Sequence, residues 1–316
     1  MISSWLLCGV LLLTLLSPAR TAAQVPRLAL RVVASVSIPE EFPVAGVDAG
    51  SGSLFAIWSL HRPEVLLCCR PELQVIRSSE FARPVAVRVA SPDSVIEVLD
   101  ADRRTLLSVT RSGATVQRRA IPIAWEISRA VHSLGVWYIV GQDSTGATVL
   151  ASLSASGEVL RQDELVPSLD SLTLAPAVLL ARSPSGAFAT LGRSPYTTWA
   201  LSADHAPRPV PLHIPHLDPG SASPDSASIW VSLAPVPVDS FLVRTFSDLR
   251  SDRRLLVLYD ERGAIIRETG LDAALGLIES QPGHQLLVGL RKLPGTELTF
   301  YHWRWETDLP RDGDMP

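Results

Sequence analysis

Residues 84–121, PVAVRVASPDSVIEVLDADRRTLLSVTRSGATVQRRAI, carry the reading that decides the fold. Two apolar runs, residues 94–100 (SVIEVLD) and 105–110 (TLLSVT), flank the polar Ala101-Asp102-Arg103-Arg104. Each is too short for an amphipathic helix, and each is rich in Val and Leu and bounded by Ser, Asp or Gly, so both read as strands. Arg111-Ser112-Gly113 follows as a turn in which Gly supplies positive φ. A third run occupies residues 116–121, and the β-prone residues 84–89 precede the first. The stretch is therefore four short strands joined by tight turns.

The same unit recurs along the chain. Apolar runs begin at Ser53 (SLFAIWS), Ser94, Val136 (VWYIVGQ), Gly186 (GAFATLG), Ser240 (SFLVRTF) and His284 (HQLLVGL), spaced 41, 42, 50, 54 and 44 residues apart. A second strand-like run starts 11 to 15 residues after each, at Val65, Thr105, Val149, Thr197, Leu255 and Glu297. Inner segments are expected before the first runs, at residues 42–47, 84–89 and 125–131 among others. Four strands in each unit of this length predict an all-β fold, a six-bladed β-propeller of four-stranded blades. The sixth unit has no outer strand of its own, because only a Pro- and Asp-rich tail follows Glu306. Residues 28–38 (LALRVVASVSI) are expected to complete it, closing the ring and covering an edge that would otherwise invite association.

At residues 84–113 the unit resembles an NHL-type repeat of the six-bladed propeller superfamily, with partial matches at Val47-Asp48, residues 52–57 and residues 255–263. The resemblance implies a channel lined by the innermost strands. It also implies a face shared by two sets of connections, outer-to-inner and second-to-third strand, where ligands usually meet such folds.

The apolar run 6–16, broken by Ser17-Pro18 and followed by Thr21-Ala22-Ala23, reads as a secretory signal over residues 1–23. The propeller then takes residues 24–306 and a polar tail 307–316, with no span through a membrane after the signal is removed. A secreted or periplasmic, cell-envelope location is expected. The hydrophobic fraction of 47% is too high for disorder. A net charge of -4 gives no global field to recruit nucleic acid. Cys68 and Cys69 are adjacent, so on one strand they point to opposite faces and are expected to be thiols.

Polar residues on or beside the expected inner strands are Glu40, Glu41, Asp48, Arg83, Glu126, Arg129, His132, Arg182 and Glu279. Of these, Glu41, Asp48, Arg129, His132, Arg182 and Glu279 are the channel candidates. Rim candidates are Arg103, Arg104, Arg253 and Arg254 in second-to-third strand connections, with His213 and His216 in residues 204–228, read as a long loop between blades four and five. Such arginines suit carboxylate or sulfate groups of a glycan or an acidic protein. The expected function is a monomeric binding or scaffold module without catalysis or cofactor, its partner a protein or glycan of the cell envelope. The alternative is a metal-dependent lactonase-like or lyase-like propeller enzyme, in which Glu41, Asp48, His132 and Glu279 hold Ca²⁺ or Zn²⁺ in the channel.

Overall fold

A computed structural model describes residues 26–49, 54–59, 61–69, 72–90, 95–167, 177–183, 185–193, 195–215, 230–233, 235–248, 253–271, 275–281, 286–291 and 296–307. Strands and turns make up these residues, with no helix among them.

The chain enters with β1 (Pro26–Ser37). Blade 1 is β2 (Gly46–Ala49), β3 (Leu54–Trp58), β4 (Glu64–Cys69) and β5 (Glu72–Arg77). Blade 2 is β6 (Pro84–Val89), β7 (Val95–Asp100), β8 (Thr105–Thr110) and β9 (Thr115–Ala120). In blade 3 come β10 (Glu126–Ser133), β11 (Val136–Gln142), β12 (Thr148–Ser154) and β13 (Val159–Val166). Blade 4 holds β14 (Val178–Ser183), β15 (Gly186–Leu191), β16 (Thr198–Leu201) and β17 (Arg208–Val210). Blade 5 has an inner strand in two pieces, β18 (Trp230–Ser232) and β19 (Val236–Val238), both paired with β20 (Phe241–Asp248), then β21 (Arg254–Tyr259) and β22 (Ile265–Leu271). Blade 6 is β23 (Leu275–Gln281), β24 (Leu286–Arg291) and β25 (Glu297–Thr307), in a sheet ordered β1-β25-β24-β23.

Two compact units divide the chain, residues 30–304 and residues 1–29 with 305–316. Of the smaller, residues 26–29 and 305–307 are described, all strand. Within the larger, the inner strands touch in a cycle: β2 with β6, β6 with β10, β10 with β14, β14 with β19, β19 with β23 and β23 with β2. That cycle is the ring. The Ile38 N–H donates to Thr296 O at 2.9 Å beside the last sheet.

Packing explains why the second and third strands are nearly continuous in apolar residues. Along β3, Leu54, Ala56 and Trp58 enter a core shared with blades 2 and 3, whereas Phe55 and Ile57 enter a second core with Val288, Leu298 and Phe300 of blade 6. A strand buried on both faces loses the polar alternation of a half-exposed one. The outer strands show the contrast, since β9 (TVQRRA) is polar and largely exposed.

The antiparallel order puts second-to-third connections and outer-to-inner connections on one face of the ring, called the front face below. The turn glycines of the third-to-fourth connections do two jobs. Gly113 (φ 88°) and Gly263 (φ 81°) close the turns, and a Cβ on either would lie 2.0 Å from Arg77 O or 2.2 Å from Pro211 O of the preceding blade.

Two expectations change. Of residues 42–47 only Gly46 and Val47 lie in the first inner strand; Phe42 is buried in a turn with its N–H bonded to Pro39 O, Pro43 has no N–H to offer a ladder, and Ala45 N–H donates to Trp58 O at 2.8 Å just ahead of β2. Residues 204–228 are not one loop either. Residues 208–210 form β17, the outer strand of blade 4, paired with β16.

Candidate functional site

Across the channel, blades 1 and 4 stand opposite each other, so side chains that meet from them must cross its axis. Asp48 of β2 does so, forming an ion pair with the Nη2 of Arg182 on β14. Its other oxygen accepts the Val89 N–H of blade 2 at 2.8 Å, and Asp48 is 2% exposed. One carboxylate thus joins three blades. Beside it Arg88 of β6 pairs with Glu97 of β7 at 2.9 Å.

His132 lies at the far end of β10, edge-on to Trp137 with ring centroids 5.1 Å apart. Burial, reinforced by the Arg88 guanidinium, pushes its imidazole down from 6.5 to about 4. It is neutral at physiological pH. Its Nε2 is buried with no hydrogen-bond partner among the described residues.

On the front face, a cavity of about 300 Å³ opens between blades 2, 3 and 4, lined among others by Arg83, Glu126, Arg129, Val140, Gln142 and Val178. Its geometry follows from a bulge in β10. Ile127 pairs with Gly141 and Arg129 with Val140, leaving Ser128 as the extra residue. Ser128 Oγ donates to Val140 O at 3.0 Å, and Arg83 Nη2 donates to Ile127 O at 3.0 Å while its Nε holds Asp102 at 2.7 Å. Gly141 permits the bulge, since a Cβ there would sit 1.8 Å from Glu126 O. These contacts fix the backbone that leads into Arg129. The Arg129 guanidinium itself has no hydrogen bond or ion pair among the described residues, and burial lowers its pKa below the ordinary value.

The other candidates scatter. Glu41 is a turn carboxylate, 84% exposed, with Oε2 accepting from Arg62 at 3.2 Å. Glu279 lies on β23 opposite Val288, and its side chain is outside the described residues, as is all of His216. Of the four residues expected to share a metal, Glu41 and Asp48 are therefore committed to arginines, and no group of three or more His, Cys, Asp or Glu side chains suited to a metal occurs among the described residues.

Arg103, Arg104, Arg253 and Arg254 do share the front face. The Arg103 side chain donates to Ser79 O at 2.9 Å, and Arg104 takes positive φ (50°) with its carbonyl accepting from Ile121 N–H. Arg253 accepts the Asp248 N–H at its carbonyl, and Arg254 Nη1 donates to Ser247 Oγ across the strand pair. Asp100 does not neutralise them as a surface partner. It is fully buried and accepts the N–H groups of Ala82, Arg83 and Arg103 at 2.6, 2.9 and 3.0 Å. His213 stands apart from the arginines: its N–H donates to Gly263 O in the third-to-fourth strand turn of blade 5.

Arg88, Gln142 and the Ser128 bulge were not among the site residues read from sequence. Gly141 inside an apolar run was the available signal, since a strand glycine marks a bulge or a close backbone approach.

No protein-family model matches the chain. No curated protein matches it in sequence. Among solved structures, a DUF4221-family protein of Bacteroides vulgatus ATCC 8482 is similar with TM-score 0.56 at 9% identity, covering 90% of this chain and 99% of that one. The WD40 domain of Toxoplasma gondii coronin gives 0.50 at 10% identity, covering 92% and 88%. A candidate exported protein of Bacteroides fragilis NCTC 9343 gives 0.50 at 10%, covering 90% and 96%. Likeness at these identities concerns the fold, and the chain is a six-bladed β-propeller.

Proposed function

We propose that the protein is an exported binding module without catalysis or cofactor, a monomer that seats a cell-envelope molecule on the front face. The observation that carries this reading is the cavity of about 300 Å³ in which Arg129 has no partner among the described residues. A volume of that order is at the lower end for small-molecule sites. The channel supports the front face by contrast, because Asp48 and Arg182 already pair as opposite charges across it. Support for export is the signal-like run 6–16 with Thr21-Ala22-Ala23 after it.

Soaking crystals with a mixture of small acids, bases and neutral sugars, then recovering the bound species by mass spectrometry, tests the proposal. Occupancy is expected at the Arg129 cavity, with each molecule recovered unaltered. Chemically altered products, or occupancy confined to other parts of the ring, would overturn it. Metal analysis of the dialysed protein gives a second check, with calcium and zinc expected well below one equivalent; a stoichiometric ion lost on Glu41→Gln or Glu279→Gln would instead establish a metal centre.

A further inference from the structure

The chemistry of the cavity narrows the ligand. Arg83 and Asp102 are already paired at 2.7 Å, so the charges left to meet a ligand are those of Arg129 and Glu126. These two cancel. A singly charged anion adds one negative charge to the site, whereas a phosphate dianion adds nearly two beside the Glu126 carboxylate, which favours the monoanion. The planar guanidinium fork of Arg129 matches a carboxylate bidentately.

Glu126 and Gln142 set the second requirement. Glu126 is an exposed lining residue whose carboxylate has no hydrogen bond or ion pair among the described residues, and a carboxylate only accepts. Hydroxyl donors on a ligand are therefore what this wall of the cavity can receive. Val140 and Val178 supply apolar wall for the C–H face of such a molecule. The contacts at Ile127 and Ser128 fix the backbone that leads into Arg129 before any ligand arrives, so the ordering left to binding is that of the Arg129 side chain.

We infer that the cavity binds a hydroxylated monocarboxylate of the uronic-acid class, its carboxylate on Arg129 and its hydroxyls on Glu126 and Gln142. The inference rests on the binding-module reading and adds the ligand class to it.

Titration calorimetry on the intact protein tests it with sodium D-glucuronate, the uncharged methyl ester of glucuronate, D-glucose and sodium phosphate as probes. Glucuronate is expected to bind, and the ester and glucose to bind about tenfold more weakly or worse. Arg129→Gln is expected to lose about tenfold or more, and Arg129→Lys, which keeps the charge without the fork, to fall between. Phosphate should not displace glucuronate. Equal binding of glucuronate and its ester, displacement by phosphate, no binding of glucuronate at millimolar concentration, or unchanged affinity in a folded Arg129→Gln variant would each overturn the inference. The ester comparison leaves the protein unaltered, so it decides even where Arg129→Gln fails to fold. Should glucuronate fail while other molecules fill the cavity in the soak, the ligand class falls and the binding module stands.

Discussion

Asp48 shows how much one side chain can carry. It is buried on an inner strand and held by a cation from the opposite blade and an N–H from its neighbour. Removing the cation alone leaves a buried charge without its counter-ion, so Arg182→Met should cost about 3 kcal/mol in urea unfolding. The double variant Asp48→Asn with Arg182→Met should regain most of that loss, which distinguishes an ion pair from mere packing. His132 makes a pH prediction. Its folded pKa of about 4 lies below the ordinary 6.5, so between those values the unfolded chain binds more protons than the folded one. Stability present above pH 6.5 is thus lost as pH falls toward 4, by on the order of 3 kcal/mol at most for a group that keeps some solvent contact. Urea melts at pH 7 and pH 4.5 should show this dependence in the wild type and less of it in His132→Phe, with Arg88 as the nearby cation whose field adds to the shift.

At the scale of the element, β10 and β11 illustrate what a strand pattern conceals. The run VWYIVGQ reads as an ordinary buried strand, yet Gly141 is the only residue that lets Glu126 O approach so closely across the bulge. Gly141→Ala should destabilise by about 2 kcal/mol, because a backbone carbonyl has to shift. The same variant should also weaken binding at the cavity, since the bulge aims Arg129. A variant that unfolds like the wild type would refute this account of the bulge. Arg244 gives the converse case. In the run SFLVRTF it looks like an interruption, but in β20 it is 2% exposed and donates to Ser232 Oγ at 2.6 Å and Tyr196 O at 3.1 Å, tying blade 5 to blade 4. Burial lowers its pKa only to about 10, so it stays charged, with the faces of Phe246 and Tyr196 5.0 and 5.8 Å from its carbon. Strand identity was legible from the apolar runs; the role of the lone polar residue inside one was not, because two of its acceptors, Tyr196 O and Leu191 O, lie 48 and 53 residues away in blade 4.

For the whole molecule, the sheet of blade 6 sets β1 beside β25. Deleting residues 24–37 removes β1 and leaves β25 without its neighbour. An unpaired strand edge of that length is a template for association, so the truncated protein should elute as aggregate in size exclusion and melt well below the intact protein. A monodisperse truncated protein with an unchanged melting temperature would show that β1 is dispensable for the ring.

The repeat by itself determined the architecture, because blade order depends on short-range features: run length, turn glycines and the spacing between them. Thr105–Thr110 and Val136–Gln142 stand where their apolar content placed them, and Arg129, His132, Asp48 and Arg182 were picked out by lying on or beside inner strands. What only the tertiary structure decided is which of those charges satisfy one another. Asp48 meets Arg182 across the channel whereas Arg129 meets no described partner, and that difference is set by distances between blades more than 40 residues apart in sequence, which no local pattern encodes.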